Sequence, residues 1–225
     1  MRGFWADERV DWGIWPKKNQ VYFFFKLLEK KLFQSSDGIV SLTKVGIKRI
    51  EEITKQKRKD SEIRVIPTCA DLELFSFHKK MPEKITMAHV GAVESRYEFG
   101  KTLQIYKAIN KIQNTKLHII NKGEHNFINQ ELKRNNITND RVEIFESIYS
   151  EMPTHLKNIT FGAFFPKKGF YLNGYFPTKL GEFLACGRPL ICGRVNEDVE
   201  RIIKMNKVGV VVNLDDDVSL DRIIE

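Results

Sequence analysis

Short apolar runs that alternate with amphipathic stretches constrain the fold of this chain more than any other feature. The runs are nearly continuous in apolar residues, which is typical of strands buried on both faces of a parallel sheet. They lie at residues 38–43, 63–68, 85–91, 116–121, 141–147, 159–165, 189–193 and 209–214. The sequence therefore predicts an α/β fold in which helices cover both faces of a parallel sheet.

The stretches between these runs carry apolar residues at helical spacing. Helices are predicted over residues 17–34, 44–57, 99–113, 178–185 and 197–205, before Asn135, from about Ser150, and in the polar stretch after residue 214. Gly187 follows one of them in the position where glycine commonly ends a helix. Residues 1–16 mix aromatic, glycine and acidic residues and predict an irregular loop. The charged, proline-containing stretch 76–84 is the best candidate for a linker.

Composition excludes several classes of protein. The 225 residues are 42% hydrophobic and 29% charged, the balance of a globular protein rather than a disordered one. Three cysteines without metal-ligand spacing predict reduced thiols and no zinc site. No apolar run reaches the ~20 residues that a membrane span needs. Asp7, Glu8 and Asp11 argue against a signal peptide, so we expect a cytoplasmic protein.

The net charge of +8, from 37 Lys and Arg against 29 Asp and Glu, has two interpretations. Scattered lysines on solvated helix faces explain it without any function, and this is the interpretation we favour. Attraction to an anionic membrane surface, at the inner face of the cell membrane, is the second. No zinc-finger or RNA-binding signature accompanies the charge, so we expect no nucleic-acid partner.

The loop that follows the run 85–91 is the first candidate site. Ligands of parallel sheets bind beyond the carboxyl ends of the strands, and this loop begins at Gly91. Its glycines lack dinucleotide-fingerprint spacing, so the sequence gives no support for NAD. Arg96 and Lys101 lie near the entry of the next helix, where free N–H groups favour anions. Ordinary solvated charges explain these two residues equally well.

The segment 167–191, KKGFYLNGYFPTKLGEFLACGRPLI, is the second candidate site. Gly174 allows a ligand to approach the backbone closely. Thr178 and Lys179 open a helix, where a lysine suits a diphosphate. Glu182 lies one turn inside that helix, and its carboxylate can accept hydrogen bonds from both hydroxyls of a ribose. Spacing alone does not distinguish these roles from a first-turn acid and a surface lysine.

The run PTKLGEFLACGRPLI resembles the nucleotide-sugar-binding segment of the glycosyltransferases of family four, which have the GT-B fold. Three further stretches are similar to other parts of that family. RGFWADERV resembles a loop late in its N-terminal domain, and DGIVSLT with IRVIPTCADLELF resembles the last two strands before its interdomain linker. HVGAVESRYEFGKTLQIY and GVVVNL resemble the beginning and the end of its donor domain.

The resemblance implies roles for particular residues. Glu182 corresponds to the second glutamate of the family's E-x7-E motif and would bind the donor ribose, with Thr178 and Lys179 beside it. The first glutamate falls at Gly174, and the usual arginine after the first strand's glycine is Ala92; both are departures. Arg96 and Lys101 are the candidate substitutes for the phosphate-binding pair, next to Gly91. The nucleobase would lie against backbone groups around Phe145 and Glu146.

The resemblance also implies the organisation and activity of the chain. Residues 1–80 would form a partial N-terminal, acceptor-side domain with the linker, and residues 81–225 the donor domain. The chain would be truncated at its N-terminus relative to the family. It would be a retaining enzyme that transfers a sugar from a nucleoside diphosphate to a hydroxyl of a saccharide or lipid-linked acceptor in cell-surface polysaccharide or lipopolysaccharide synthesis. The donor is a substrate, and neither a cofactor nor a metal is expected.

Two other functions stay open. The chain could be a non-catalytic nucleotide-binding remnant, because the acceptor half of the family's fold has no counterpart here. It could also be a sugar-nucleotide epimerase of the same fold.

Overall fold

The computed structural model describes residues 3–16, 19–59 and 62–213. The helices are α1 (Trp5–Asp11), α2 (Gln20–Ser35), α3 (Lys44–Thr54), α4 (Phe99–Ile112), α5 (His125–Arg134), α6 (Met152–Lys157), α7 (Thr178–Ala185) and α8 (Glu197–Asn206). The strands are β1 (Ile39–Ser41), β2 (Ile63–Val65), β3 (Ile85–Val90), β4 (Thr115–Ile120), β5 (Val142–Phe145), β6 (Phe161–Phe164), β7 (Leu190–Gly193) and β8 (Gly209–Val212). Strands and helices alternate from β3 onward, as the apolar runs predict, whereas β2 is followed by β3 without a helix between them.

The chain divides into two compact units. The first comprises Met1–Thr68, Lys167–Pro177 and Val195–Arg201, and the second comprises Cys69–Pro166, Thr178–Arg194 and Ile202–Glu225. The predicted division into domains 1–80 and 81–225 stays a prediction.

The second unit is built on a six-stranded sheet in the order β5-β4-β3-β6-β7-β8, with every pair of neighbours parallel. Counted along this unit, the strand order is 3-2-1-4-5-6, which is that of a Rossmann-like sheet. The four middle residues of β3 are all buried, as expected for a central strand covered on both faces. The main core contains Met87, Leu103, Leu117 and Ile119, each fully excluded from solvent.

The first unit contains a two-stranded parallel sheet, β1 with β2, and helices α1 to α3. The Thr43 side chain caps α3 by accepting a hydrogen bond from the Gly46 amide. Phe4, Phe33 and Ile50 lie in the buried core of this unit.

The prediction of an irregular loop over residues 1–16 is wrong, because Trp5–Asp11 forms α1. Acidic residues in its first turn and Arg9 in its last suit the helix dipole. Asp7 of this helix is buried, where it forms an ion pair of 2.7 Å with Lys26. A partner outside the segment therefore stabilises α1, and local composition does not reveal such a partner.

Three other boundaries differ from the prediction or fall outside the described residues. Helix α3 ends at Thr54 rather than residue 57, because Lys55 adopts the left-handed conformation with φ of 57°. A 3₁₀ turn at Tyr149–Glu151 precedes α6, where a single helix was predicted from about Ser150. The polar helix predicted after residue 214 lies outside the described residues. Among the described residues, no helix has the length and hydrophobicity to cross a membrane.

Gly162 in β6 gives a direct test of how tightly the second unit is packed. A Cβ there would lie 2.7 Å from Leu190 Cδ2 and closer still to the buried Phe183 ring. We expect Gly162→Ala to lower the free energy of unfolding by about 1–3 kcal/mol, because the core must move to admit a methyl group. Urea unfolding measures the change.

Gly100→Ala in α4 is the matched control, since nothing lies within 4 Å of a Cβ built there. Alanine favours the helix over glycine by up to about 1 kcal/mol, so this variant should be slightly stabilised. Equal destabilisation of the two variants would contradict the close packing of β6 against α7.

Candidate functional site

The order of strands reverses within the sheet of the second unit, which makes a topological switch point between β3 and β6. Strand β3 leads to β4 on one side of it, whereas its neighbour β6 leads to β7 on the other side. The loops that leave β3 and β6 therefore diverge, and the space at their carboxyl ends is where open parallel sheets bind ligands. Val90 is the last residue of β3 and Phe164 the last of β6.

Lys179 brings a positive charge to this switch point. It is the second residue of α7, and its Nζ donates a hydrogen bond to the carbonyl oxygen of Val90. The same Nζ lies 4.1 Å from the ring centroid of Tyr97 and 5.7 Å from that of Phe164. An ammonium group within about 6 Å of a ring face is attracted by the ring's quadrupole. The ammonium is therefore held at the end of β3 by one carbonyl and two rings.

Gly91 makes room for this arrangement. Its φ is +105°, which L side chains rarely adopt. A Cβ at this position would lie 3.2 Å from Lys179 Nζ. Both the turn after β3 and the place of the ammonium thus require a glycine here.

Glu182 presents a carboxylate without a protein partner. The residue is 9% exposed, and no described residue forms a hydrogen bond or ion pair with its carboxylate, whose oxygens are not among the fully buried unpartnered atoms and therefore reach solvent. Burial raises the pKa of Glu182, and the charge of Lys179 acts in the opposite direction. The side chain is therefore largely buried while its carboxylate still reaches solvent, where a ligand can donate hydrogen bonds to it.

The other residues predicted to bind the donor near its phosphates make contacts that differ from those of Lys179. Thr178 is exposed and is the first residue of α7. Lys101 in α4 forms an ion pair with Glu98. Arg96 is exposed in the loop before α4. Their roles stay predictions, and Lys179 is the lysine that the structure places at the end of β3.

The predicted nucleobase region follows β5. The carbonyl oxygen of Phe145 accepts a hydrogen bond of 3.1 Å from the backbone N–H of Asn121, and the Glu146 side chain is exposed. Tyr149 follows β5 in the chain, and its ring is half-exposed. The centroid of this ring lies 5.5 Å from that of the buried Phe75 ring. Burial, followed by the charge of Glu182, raises the pKa of Tyr149. The role of Phe145 and Glu146 backbone groups stays a prediction.

A carboxylate that the sequence did not single out fixes the loop after β3. Glu124 accepts hydrogen bonds from the consecutive amides of Val93, at 2.9 Å, and Glu94, at 3.2 Å. The Asn121 side chain donates to Glu124 at 2.6 Å and to the Gly91 carbonyl at 3.0 Å. Consecutive amides that converge in this way form an anion-binding concavity. Here a carboxylate of the protein itself fills it.

His89 lies fully buried in β3, one residue before Val90. Its Nε2 is 3.1 Å from the Ala92 carbonyl oxygen, and its ring lies edge-on to Tyr97 and Phe99. Burial, followed by the charge of Lys179, lowers the pKa of His89 to about 3. The imidazole is therefore neutral at physiological pH, and Lys179 supplies the positive charge beside it.

Gly174 lies in the first unit of the chain. It is buried in a 3₁₀ turn, where a Cβ would lie 3.1 Å from Gly3 Cα and 3.2 Å from the Phe4 ring. Asp11 and Thr43 anchor this segment by hydrogen bonds to the Tyr171 amide and the Asn173 carbonyl. A side chain at 174, such as the glutamate of the E-x7-E motif, would require Gly3 and Phe4 to shift. Donor binding by Gly174 stays a prediction.

The part of the chain that the structure describes contains no group of three or more His, Cys, Asp or Glu side chains placed to hold a metal ion. Cys69, Cys186 and Cys192 are not joined in disulfides.

Comparison with known proteins identifies the architecture. The fold is similar to a sucrose-phosphate synthase from Thermosynechococcus elongatus, with a TM-score of 0.67 and 16% identity over 92% of this chain and 52% of that one. WaaG, a glycosyltransferase involved in lipopolysaccharide biosynthesis, has a TM-score of 0.67 and 12% identity over 86% of this chain and 54% of its own. HepE from Anabaena, solved with UDP and glucose, has a TM-score of 0.58 and 11% identity, covering 81% and 50%.

These similarities confirm the predicted fold class, an α/β chain of GT-B-like architecture with a Rossmann-like parallel sheet. The chain spans about half the length of each of these three structures. No protein-family model and no curated protein matches the sequence.

The neutral state of His89 predicts how stability depends on pH. Its pKa of about 3 in the folded state lies below the 6.5 of an ordinary histidine, so the unfolded state binds a proton first as pH falls. The contribution of His89 is complete above pH ~6.5 and is lost progressively below it. We expect the wild type to lose about 2 kcal/mol more stability between pH 7 and pH 5 than His89→Gln, which keeps a donor but does not titrate. Urea unfolding at pH 7 and pH 5 measures this difference. Equal losses of stability in the wild type and in His89→Gln would show that His89 does not have the lowered pKa.

Proposed function

We propose that this chain binds a nucleoside diphosphate sugar and acts as a glycosyltransferase of family four. The observation that carries the proposal is the placement, on one helix, of a largely buried Glu182 whose carboxylate pairs with no described residue and of a Lys179 ammonium that reaches the switch point of the sheet. The sequence motif around these residues and the similarity to glycosyltransferase structures support it. So does HepE, a structural neighbour that was solved with UDP and glucose.

Glu182 would bind the donor through its ribose. Its two carboxylate oxygens can accept hydrogen bonds from two adjacent hydroxyls, and no group of the described chain competes for them. Hydrogen bonds from these hydroxyls would replace those that the carboxylate makes with solvent and would offset part of the cost of its partial burial.

Lys179 would act on the diphosphate. When the sugar leaves, negative charge grows on the phosphate oxygens, and a cation fixed beforehand stabilises that charge without reorganising. The N-terminus of α7 adds the partial positive charge of its free amides, with Thr178 as the first residue. Arg96 and Lys101 are secondary candidates, and Lys101 would have to leave its ion pair with Glu98 to take part.

We further propose that the transfer retains the configuration of the sugar and that a saccharide or lipid-linked saccharide hydroxyl is the acceptor. The family resemblance supports both statements. The similarity to WaaG, which is involved in lipopolysaccharide biosynthesis, supports a role in assembling cell-surface polysaccharide or lipopolysaccharide. The net charge of +8 would suit work beside the anionic inner face of the cell membrane.

A thermal-shift panel of UDP, GDP, ADP and CMP tests the proposal on the purified chain. A ligand that binds the folded state raises the melting temperature by mass action. We expect one nucleoside diphosphate to raise it more than the others, and Glu182→Ala to weaken that nucleotide more than tenfold in calorimetry. The control is Glu83→Ala, which removes the same charge from an exposed position and should leave the affinity unchanged.

Two outcomes would contradict the proposal at different levels. If no nucleotide shifts the melting temperature, the assignment of a nucleotide-sugar site is wrong. If a nucleotide binds and Glu182→Ala keeps the wild-type affinity, the chain binds nucleotides but not through this carboxylate.

A further inference from the structure

The aromatic ring of Tyr97 contacts the ammonium group of Lys179. Neither the sequence motif on α7 nor the composition of the chain indicates a role for Tyr97. The residue is 8% exposed, and its ring centroid lies 4.1 Å from Lys179 Nζ. Its ring meets that of His89 edge-on at 5.7 Å and that of Phe164 edge-on at 6.5 Å. Aromatic neighbours on strands β3 and β6 therefore hold the ring in place.

The backbone around Tyr97 is fixed as well. Tyr97 forms an antiparallel bridge with Pro166, and the Glu98 amide donates a hydrogen bond of 2.8 Å to the Phe165 carbonyl. The stretch Tyr97–Glu98 thus lies along the chain that leaves β6. A ring restrained by both its backbone and its neighbours can hold a flexible side chain in one place at little further entropic cost.

Lys179 needs such a support. A lysine side chain has four rotatable carbon–carbon bonds and loses substantial entropy when it is fixed. Within the described residues its Nζ donates one hydrogen bond, to Val90. An ammonium group has three N–H donors, so a ligand can still receive others. The Tyr97 ring stabilises the charge without using any of these donors, because a π face attracts a cation as a whole.

The loop after β3 cannot take over this role with its own amides at Val93 and Glu94. Both amides already donate to the Glu124 carboxylate. A phosphate brought to them would meet that negative charge and would have to displace it. Positive charge at this edge of the sheet therefore does not come from these two amides, and Lys179 brings its ammonium group to Val90.

We propose that Tyr97 is a positioning residue that holds Lys179 at the switch point in the geometry required for binding a diphosphate. This inference rests on the proposed function, in which Lys179 contacts the donor diphosphate. Tyr97 itself would not touch the ligand and would act through the ammonium group.

A double-mutant cycle tests this with the nucleoside diphosphate that the thermal-shift panel selects, and with pyrophosphate as a probe without base or ribose. Calorimetry on the wild type, Tyr97→Phe, Tyr97→Leu, Lys179→Met and the Tyr97→Leu/Lys179→Met double variant gives the coupling. Tyr97→Phe keeps the π face and should bind within about 3-fold of the wild type, whereas Tyr97→Leu should lose between about 3-fold and 30-fold, the range of a cation–π contact.

The double variant distinguishes positioning from packing. If Tyr97 acts through Lys179, replacing it should have no further effect once the ammonium is gone, so the double variant should bind like Lys179→Met. If Tyr97 only packs the loop, its loss should weaken binding by the same factor with or without Lys179. An additive cycle, or equal losses in Tyr97→Phe and Tyr97→Leu, would overturn the proposal.

A measurement without ligand keeps the test independent of the proposed function and of whether Tyr97→Leu folds. In the wild type, NMR of the Lys179 ε-methylene protons should show an upfield ring-current shift from Tyr97, retained in Tyr97→Phe. If no nucleotide binds but this shift is present, the proposed function fails and the placement of Lys179 stands. Unshifted ε-methylene protons in the wild type would overturn the placement itself.

Discussion

The contact between the Lys179 ammonium, the Val90 carbonyl and the Tyr97 ring is the interaction on which the candidate site depends. It exists because the strand order of the sheet reverses between β3 and β6, which leaves their carboxyl ends open to the start of α7. A parallel sheet with uniform strand order would have no such opening. Gly91 completes the arrangement, since a side chain there would press against the ammonium.

The charges around this contact are divided between structure and binding. The Glu124 carboxylate accepts hydrogen bonds from two loop amides and an asparagine side chain, so it stabilises the loop after β3. Among the described residues Glu182 has no such partners, which leaves its carboxylate available. His89 lies beside the ammonium but stays neutral, because burial disfavours a second positive charge. The Lys179 ammonium and the Glu182 carboxylate are the two charged groups on which the proposed donor binding depends.

The sequence predicted the parts of the site that lie within one helix. Thr178, Lys179 and Glu182 share α7, and its bounds agree with the predicted helix at 178–185 because the apolar spacing and Gly187 define them locally. Tyr97, Asn121 and Glu124 were missed, because they act on partners brought together only by the sheet. Lys179 and Val90, for example, are 89 residues apart in the chain. Lys101 was expected at a phosphate, but Glu98 lies three residues before it on the same side of α4 and pairs with it.

The amino-acid sequence by itself determined the α/β class, most strands and helices, and the motif on α7, because continuous apolar runs and helical spacing are local properties of the chain. Only the tertiary structure decided which strand ends adjoin and which charges meet there. In the tertiary structure residues 5–11 form a helix whose Asp7 pairs with Lys26, and Gly174 packs against Phe4. These outcomes depend on contacts between segments far apart in the sequence, whose energies no local pattern encodes.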